Sequence, residues 1–307
     1  MIILDFWLQV LLLALLLDLL IGEPPVFLHP VVWMGNLINL FVARAPGRRR
    51  KLYGFFMTAF CTGAALIAGF VIASWAENLM SLIIAAFFLK STFSIRMLTV
   101  SAIGIKKDLE RGLIEKVRSD LKTFVGRDTG RLNEAQASSA VIESLAESFV
   151  DGILSPLFYF LLFGLPGSLA YRMINTLDSM VGYRKEPFKE LGYASARLDD
   201  IANWIPARLS LIFIFMASII FGKPPGAVRI CINDNNKTAS PNSGWSMAAV
   251  SGALGVRLEK VGYHVLGVEY GEPQPVHIRR AVNLVCFSSF LVIAGIFLIG
   301  KVAIVHL

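Results

Sequence analysis

The sequence predicts an all-α polytopic membrane protein, with about five spanning helices, a re-entrant helical hairpin and cytoplasmic helical loops. Of its 307 residues, 55% are hydrophobic and 17% charged, against about 45–50% and about 25% in an ordinary soluble domain. The apolar residues gather into runs close to the roughly 20 that a spanning helix needs. The basic residues, which leave a net charge of +7, cluster between those runs, as they do in cytoplasmic loops. Composition excludes a disordered chain and argues against a soluble enzyme. In so apolar a chain the positive charge points to membrane lipid, and no nucleic-acid partner is expected. The three cysteines, Cys61, Cys231 and Cys286, share no CxxC spacing and support neither a disulfide framework nor a zinc site. The whole chain, 1–307, reads as one integral membrane domain.

The first span is expected over residues 6–21, with Asp18 near its end. It lacks the basic start and small-residue cleavage site of a signal peptide. The second and third, 53–75 and 79–100, are joined only by Ala76, Glu77 and Asn78, which makes an antiparallel hairpin. Arg44, Arg48, Arg49, Arg50 and Lys51 precede this pair. Lys106, Lys107, Arg111, Lys116, Arg118, Lys122, Arg127 and Arg131 follow it. Both basic loops are therefore expected in the cytoplasm, attracted to anionic lipid, with the N-terminus outside. Residues 101–150 form a helical segment that is first basic and then acidic. In 153–170, Gly164, Pro166 and Gly167 divide the apolar run into two pieces, each too short to cross. Such broken segments survive where they pack inside protein or line a cavity. The expectation is a re-entrant helical hairpin, with a kinked span as the alternative. Trp204–Phe221 and 281–305 complete the spans. Pro24-Pro25, Lys223-Pro224-Pro225-Gly226 and residues 271–275 mark loops.

Ionisable groups beside apolar segments need a physical reason, since each costs about 2.5–3.5 kcal/mol at bilayer depth on insertion scales. Four clusters qualify. Asp18, Glu23, Pro24, His29 and Pro30 read as a helix end with an interfacial turn and a hydrogen-bonded histidine. Glu143, Glu147 and Asp151 stand at i, i+4 and i+8, within about 80° of one helical face. Like charges at that spacing repel, and no lysine or arginine lies between residues 132 and 171. A bound cation, an arginine from elsewhere or a raised pKa would each explain them, and Mg2+ suits oxygen ligands shared with substrate phosphates. The third cluster holds Arg172, Asn175, Asp178 and Ser179 on one helical face, then Arg197, Asp199, Asp200, Asn203 and Arg208. A salt-bridge network at a helix start is the plain explanation; a site for a charged ligand is the other. The fourth is Lys237, Ser240, Asn242, Ser243 and Gly244 ahead of an apolar helix 247–258. Here Ser243 as N-cap, Gly244 as an open backbone and Lys237 as a point charge describe either a phosphate cradle or an ordinary capped turn.

Neither GxxxxGK[ST] nor GxGxxG occurs. His264, His277 and His306 have no acidic neighbours in sequence. The local chemistry therefore reads as phosphate, metal and membrane.

At these same motifs the chain resembles the adenosylcobinamide-phosphate synthase family, the integral-membrane amide ligases of cobalamin biosynthesis. The likeness covers nearly the whole length. It includes Leu17-Asp18, Gly22-Glu23-Pro24, His29-Pro30-Val31 and Gly35, then Glu143-Ser144, Glu147, Val150-Asp151-Gly152 and Ser155-Pro156-Leu157-Phe158-Tyr159. The most specific run is Asn175 to Tyr183 (NTLDSMVGY), followed by Ala196-Arg197, Asp199-Asp200, Asn203 and Arg208. Ser240 to Trp245 (SPNSGW) and Gly252 to Leu258 complete it. Glu23 stands where the family commonly has Asp, Ser148 where Asn is common, Thr238 for a frequent His and Met247 for a frequent Glu.

The resemblance implies ATP-dependent joining of adenosylcobyric acid to an aminopropanol, or its O-phosphate, through an amide. On that reading Mg2+ on Glu143, Glu147 or Asp151 steadies the ATP phosphates. Asp178, Asp199 or Asp200 adds a metal ligand or deprotonates the ammonium, and Arg197 and Lys237 hold phosphate. Ser240, Asn242, Ser243, Gly244, Asn175 and Arg208 complete the nucleotide or phosphate contacts. Convergence of these clusters on one cytoplasmic-side pocket requires that one apolar segment not cross. A transporter, or a membrane sensor on the same scaffold, is the competing class; no inverted repeat supports the former.

Overall fold

The computed structural model describes residues 2–75, 78–124, 129–183 and 185–305. Ala76 and Glu77 of the expected hairpin link, Arg127, and His306 lie outside these residues. The N-terminal half contains α1 (Ile2–Leu20), a 3-10 turn (Val26–Leu28), α2 (Pro30–Ala43), α3 (Arg50–Ser74), α4 (Leu79–Lys90), α5 (Ile95–Glu110) and α6 (Ile114–Phe124). Next come α7 (Glu134–Phe149), a π turn (Val150–Leu154), α8 (Ser155–Val181), α9 (Tyr193–Ala202) and α10 (Trp204–Phe221). The remainder is α11 (Pro224–Asp234), α12 (Ser243–Leu254), strands β1 (Leu258–Lys260) and β2 (His264–Leu266), and α13 (Pro275–Val305). Among the described residues, five helical runs are long and apolar enough to cross a membrane: Arg50–Ser74, Leu79–Glu110, Glu134–Val181, Trp204–Phe221 and Pro275–Gly300. The all-α polytopic architecture holds, with one short antiparallel hairpin pairing Leu258 with Leu266.

Three details differ from expectation. The first expected span is the shorter apolar stretch Phe6–Leu20 of α1, and an unexpected apolar helix, α2, follows it. The third expected span is interrupted between Lys90 and Ile95, where Ser91 and Thr92 turn their hydroxyls onto the Phe88 and Leu89 carbonyls. The helix expected over 247–258 ends at Leu254, because Gly255 adopts a left-handed conformation (φ 68°), the common glycine helix stop.

The segment containing Gly164 folds back on itself. Gly164 has φ 63° and ψ −157°, conformations an L-residue avoids. Ser155 and Tyr171 would stand about 24 Å apart on a straight helix at 1.5 Å per residue, yet both donate to the same Asn203 oxygen, at 2.6 and 2.8 Å. α8 is thus a helical hairpin, as the sequence predicts, with a short first arm ending at the glycine.

Packing divides the chain into two compact units. One comprises the chain up to Ser94, Ser155–Asn203 and the chain from Gly295; the other comprises Ile95–Leu154 and Trp204–Ala294. In the first, α1 packs on α4, and α8 packs on α2, α3 and α9. Close approach depends on small residues, as membrane helix interfaces generally do: a Cβ on Gly69 of α3 would lie 2.4 Å from Pro166 Cα. The opposite face of α3 exposes Phe56, Ile67 and Phe70, suited to lipid. In the second unit α12 is central and packs on α7, α10 and α11. Every residue from Ser246 to Leu254 is buried, and Gly252 meets Gly226 backbone to backbone. Such a small-residue helix, buried all round, can only be a core helix.

Candidate functional site

The first unit assembles its polar residues at the base of the helical hairpin. α9 begins just after Gly192, where a Cβ would lie 1.6 Å from the Val181 carbonyl oxygen. The absence of a side chain therefore lets the start of α9 press against the end of α8. Asn175 Nδ2 reaches Asp199 Oδ1 in a long contact of 3.5 Å, and Asn203 Nδ2 donates to Asp199 Oδ2 at 3.0 Å. Both contacts favour the ionised carboxylate, yet they are outweighed. Burial, then the negative charge of Asp178, with a smaller contribution from Asp200, push the Asp199 pKa up to about 7. A carboxylate crowded by like charge out of water holds its proton more tightly. Asp178 itself folds along the helix end: its Oδ1 lies 1.9 Å from where a Gly182 Cβ would be, so only glycine fits there.

Of these carboxylates, Asp200 lines a cavity of ≈ 340 Å³, together with Gly182, Tyr183, Lys189, Tyr193 and Arg197. This is the small end of the range for ligand pockets, about 300–1,000 Å³. Arg197 is largely exposed and only loosely paired with Asp200, 3.8 Å away. Its guanidinium and the Lys51 ammonium both approach the Tyr193 ring, at 5.7 and 4.0 Å from the centroid. The cavity wall thus offers cations and an aromatic face. Arg184, in the same sequence motif, lies outside the described residues. Arg172 contacts Asn175 Oδ1 at 3.5 Å. Of the sequence-predicted set, the structure brings together Asn175, Asp178, Asp199, Asp200 and Arg197. Asn203 of the same cluster joins them, and the structure adds Ser155 and Tyr171, which the sequence analysis assigns no chemical role.

The Asp18 and His29 motif belongs to a buried ion cluster whose cation the sequence reading missed. Lys90, 2% exposed, sits 3.1 Å from Asp18 and 2.8 Å from Glu23, and His29 Nε2 lies 2.9 Å from the other Glu23 oxygen. Burial alone would raise the Glu23 pKa; hydrogen bonds from His29, Lys90 and Ser94, with the Lys90 charge, bring it down to about 2. His29 also accepts from Val31 N–H through Nδ1, capping α2. The available signal was that Lys90 is the one cation between Lys51 and Arg96; a lone ion in an apolar run calls for a partner.

In the second unit the acidic motif is divided. Glu143 is buried and paired with His264 Nε2 at 3.2 Å, so His264 does have acidic company. Glu147 is exposed, and Asp151 lies in the π turn rather than on the α-helix, which breaks the regular i, i+4, i+8 step. Among the described residues, no group of three or more His, Cys, Asp or Glu side chains can hold a metal ion. The three carboxylates therefore do not form a ready-made cage.

The Ser240 turn also differs from its expected form. The N-cap of α12 is Asn242, not Ser243, and its side chain caps nothing. Instead Ser240 Oγ accepts from the N–H groups of Asn242 and Ser243, at 3.2 and 3.5 Å. Gly244 is required, but by the protein itself: a Cβ would lie 1.9 Å from the Asn235 carbonyl oxygen. Lys237 pairs with Asp234 at 2.5 Å, and the buried Asp234 also accepts from Gly267 N–H at 2.7 Å. These contacts occupy the groups a phosphate would use. Arg208 and Asn242 do meet: Arg208 Nη1 donates to the Trp204 carbonyl at 2.7 Å and reaches Asn242 Oδ1 at 3.4 Å. The guanidinium lies against the Trp204 and Trp245 rings, at 4.1 and 4.9 Å.

Comparison with known proteins agrees with these motifs. The sequence profile described as CobD/Cbib protein matches residues 11–285. The chain is 42% identical over 287 residues to the cobalamin biosynthesis protein CobD of Dehalococcoides mccartyi, covering 91% of this chain and 92% of that one. It is 44% identical over 260 residues to a probable cobalamin biosynthesis protein CobD of Methanothermobacter thermautotrophicus, covering 84% and 86%. To the corresponding protein of Yersinia enterocolitica it is 35% identical over 300 residues, covering 91% and 93%. No solved structure matches. With a profile spanning most of its length and relatives matched nearly end to end, the chain belongs to the CobD/Cbib protein family.

Proposed function

We propose that this protein is an ATP-dependent amide ligase of the cell membrane, joining adenosylcobyric acid to (R)-1-aminopropan-2-ol or its O-phosphate on the cytoplasmic side. The broader statement, a membrane protein with a role in cobalamin biosynthesis, follows from family membership and from the five apolar helical runs. The observation that carries the finer reading is Asp199, whose affinity for a proton is raised into the neutral range one residue from Asp200, which with Arg197 lines the cavity.

The chemistry requires such a group. A carboxylate repels amines and has oxide as its leaving group. When the substrate carboxylate attacks the γ-phosphorus of ATP, ADP departs and an acyl phosphate forms. The amine then attacks the acyl carbon, the C–O bond breaks, and inorganic phosphate leaves. The amine arrives as an ammonium ion and must lose a proton first. A base with a pKa near the working pH performs that task best. Asp199 suits it: its ionised form is hydrogen-bonded by Asn175 and Asn203, while Asp178 makes proton capture favourable. Arg197 suits a phosphate, which it can bind with two parallel N–H bonds.

The residues present fit Mg2+ only as a partner arriving with ATP. Mg2+ commonly uses one or two protein carboxylates and completes its shell with phosphate oxygens and water. Glu147, which is exposed, and Asp151, which is half-buried, are the carboxylates we assign to it, because they are more accessible than the buried Glu143. Bound there, the ion would neutralise charge on the phosphates.

The test is ATP consumption by the full chain, purified in detergent, with corrinoid acid and amine supplied singly and together. Consumption only when both are present, with cobinamide or its phosphate as product, supports the reading. No ATP consumption, or consumption indifferent to either substrate, overturns it.

A further inference from the structure

The hairpin, α9 and Asp199 meet at one buried amide. Asn203 is 1% exposed, and Ser155 and Tyr171 are equally buried. Its Oδ1 accepts from Ser155 Oγ at 2.6 Å and from Tyr171 OH at 2.8 Å, and its Nδ2 donates to Asp199 Oδ2 at 3.0 Å. An ionised carboxylate can only accept, so Asp199 takes the NH2 side of the amide and leaves the carbonyl to the two hydroxyls. The carboxylate therefore sets the orientation, and the two hydroxyls, which can donate or accept, complete it by donating. Tyr171 is itself held: Tyr159 stacks on it, with ring centroids 5.3 Å apart and planes 12° from parallel, and donates its own hydroxyl to the Ala202 carbonyl at 3.0 Å. The two hydroxyls come from opposite arms of the hairpin, so closing the hairpin is what fixes the amide.

We propose that Asn203 is the positioning residue of the site, and that Ser155 and Tyr171 act through it to aim the Asp199 carboxylate at the reacting amine. The proposal rests on the reading that Asp199 takes the amine's proton. A carboxylate's terminal torsion is broad, and small misplacements of a reacting group are costly in rate. Because the proton is transferred during reaction, the effect falls on kcat rather than on substrate binding.

Tyr171→Phe and Ser155→Ala each delete one hydroxyl with little change in volume. In the full chain in detergent, each lowers kcat about tenfold, comparable to losing a hydrogen bond to a charged network, with KM for amine and corrinoid acid within about twofold. In an Asp199→Glu background, where the carboxylate is already displaced, Tyr171→Phe lowers kcat no further, since residues acting as a unit are not additive. Additive losses, losses confined to KM, or losses that track the thermal midpoint overturn the proposal. A second readout needs no turnover: the infrared carboxylate band assigned by its loss in Asp199→Asn shifts in both hydroxyl variants. An unmoved band overturns the positioning role even if the ligase reading stands. A shifted band in a protein that consumes no ATP overturns the ligase reading and leaves the positioning geometry intact. Should Tyr171→Phe fail to fold, Ser155→Ala carries the same measurements.

Discussion

Glu23 and Asp199 are two partly buried carboxylates in the same compact unit, and their acidities move in opposite directions. Burial raises the pKa of both. At Glu23 the neighbours are Lys90, His29 and Ser94, and the pKa falls to about 2. At Asp199 they are Asp178 and Asp200, and even two amide donors leave it at about 7. The first arrangement holds a charge in place and ties α1, the following loop and α4 together. The second holds a carboxylate on the verge of exchanging a proton. The presence of acidic residues beside apolar helices therefore says little; the sign of the charge facing them decides whether a carboxylate is held ionised or pushed toward its neutral form.

Neutralising each carboxylate in turn should separate the two. Asp199→Asn is expected to lower the rate of cobinamide formation by about 10²–10⁴-fold, the usual contribution of a general base. Glu23→Gln should leave kcat within a few-fold while lowering thermal stability, so equal effects on kcat would erase the distinction. Next in size is Lys90→Met, which leaves Asp18 and Glu23 buried without their cation. Removing one partner of a buried pair costs about 3–5 kcal/mol, measurable by denaturation in detergent, and adding Asp18→Leu should recover part of the loss.

A smaller effect concerns pH and stability. Glu23 has a pKa below its ordinary value of 4.5, so its contribution is complete above about pH 4.5 and is lost as pH falls through about 2. Asp199 is raised from 3.8 to about 7, so the native state binds the extra proton between those values. Its contribution is complete below about pH 4 and is lost as pH rises through about 7. Thermal midpoints across pH in Glu23→Gln and Asp199→Asn should each lose one of these slopes. Smallest of all is Lys237→Ala. With its ammonium held by Asp234, we expect less than a twofold change in apparent ATP affinity, and a larger loss would restore the turn as a phosphate cradle. Gly244→Val does not test that question, because the Asn235 carbonyl blocks any side chain there.

The apolar runs and the break at Gly164, Pro166 and Gly167 were legible because span length and glycine–proline punctuation are local properties. The interruption after Lys90 was less so: Ser91, Thr92 and Ser94 are small polar residues that helices tolerate. At the candidate site, the density of Asn175, Asp178, Asp199 and Asp200 was readable, but their opposition depends on the close approach at Gly192. Partners distant in sequence were beyond reach, as with Glu143 and His264, which are 121 residues apart. Asp234 was legible, three residues before Lys237 on a helix end, and pairing at that spacing was the signal to weigh against a phosphate role.

If burial and the charge of Asp178 together poise Asp199 to take the amine's proton, the pH dependence of kcat at saturating substrates must differ between wild type and Asp178→Asn. The wild-type rate should rise with pH through about 7, and the rising limb should lie at lower pH in Asp178→Asn, where the repelling charge is gone. A limb that stays in place when Asp178 is neutralised, or a wild-type rate flat across neutral pH, would contradict that role of Asp199.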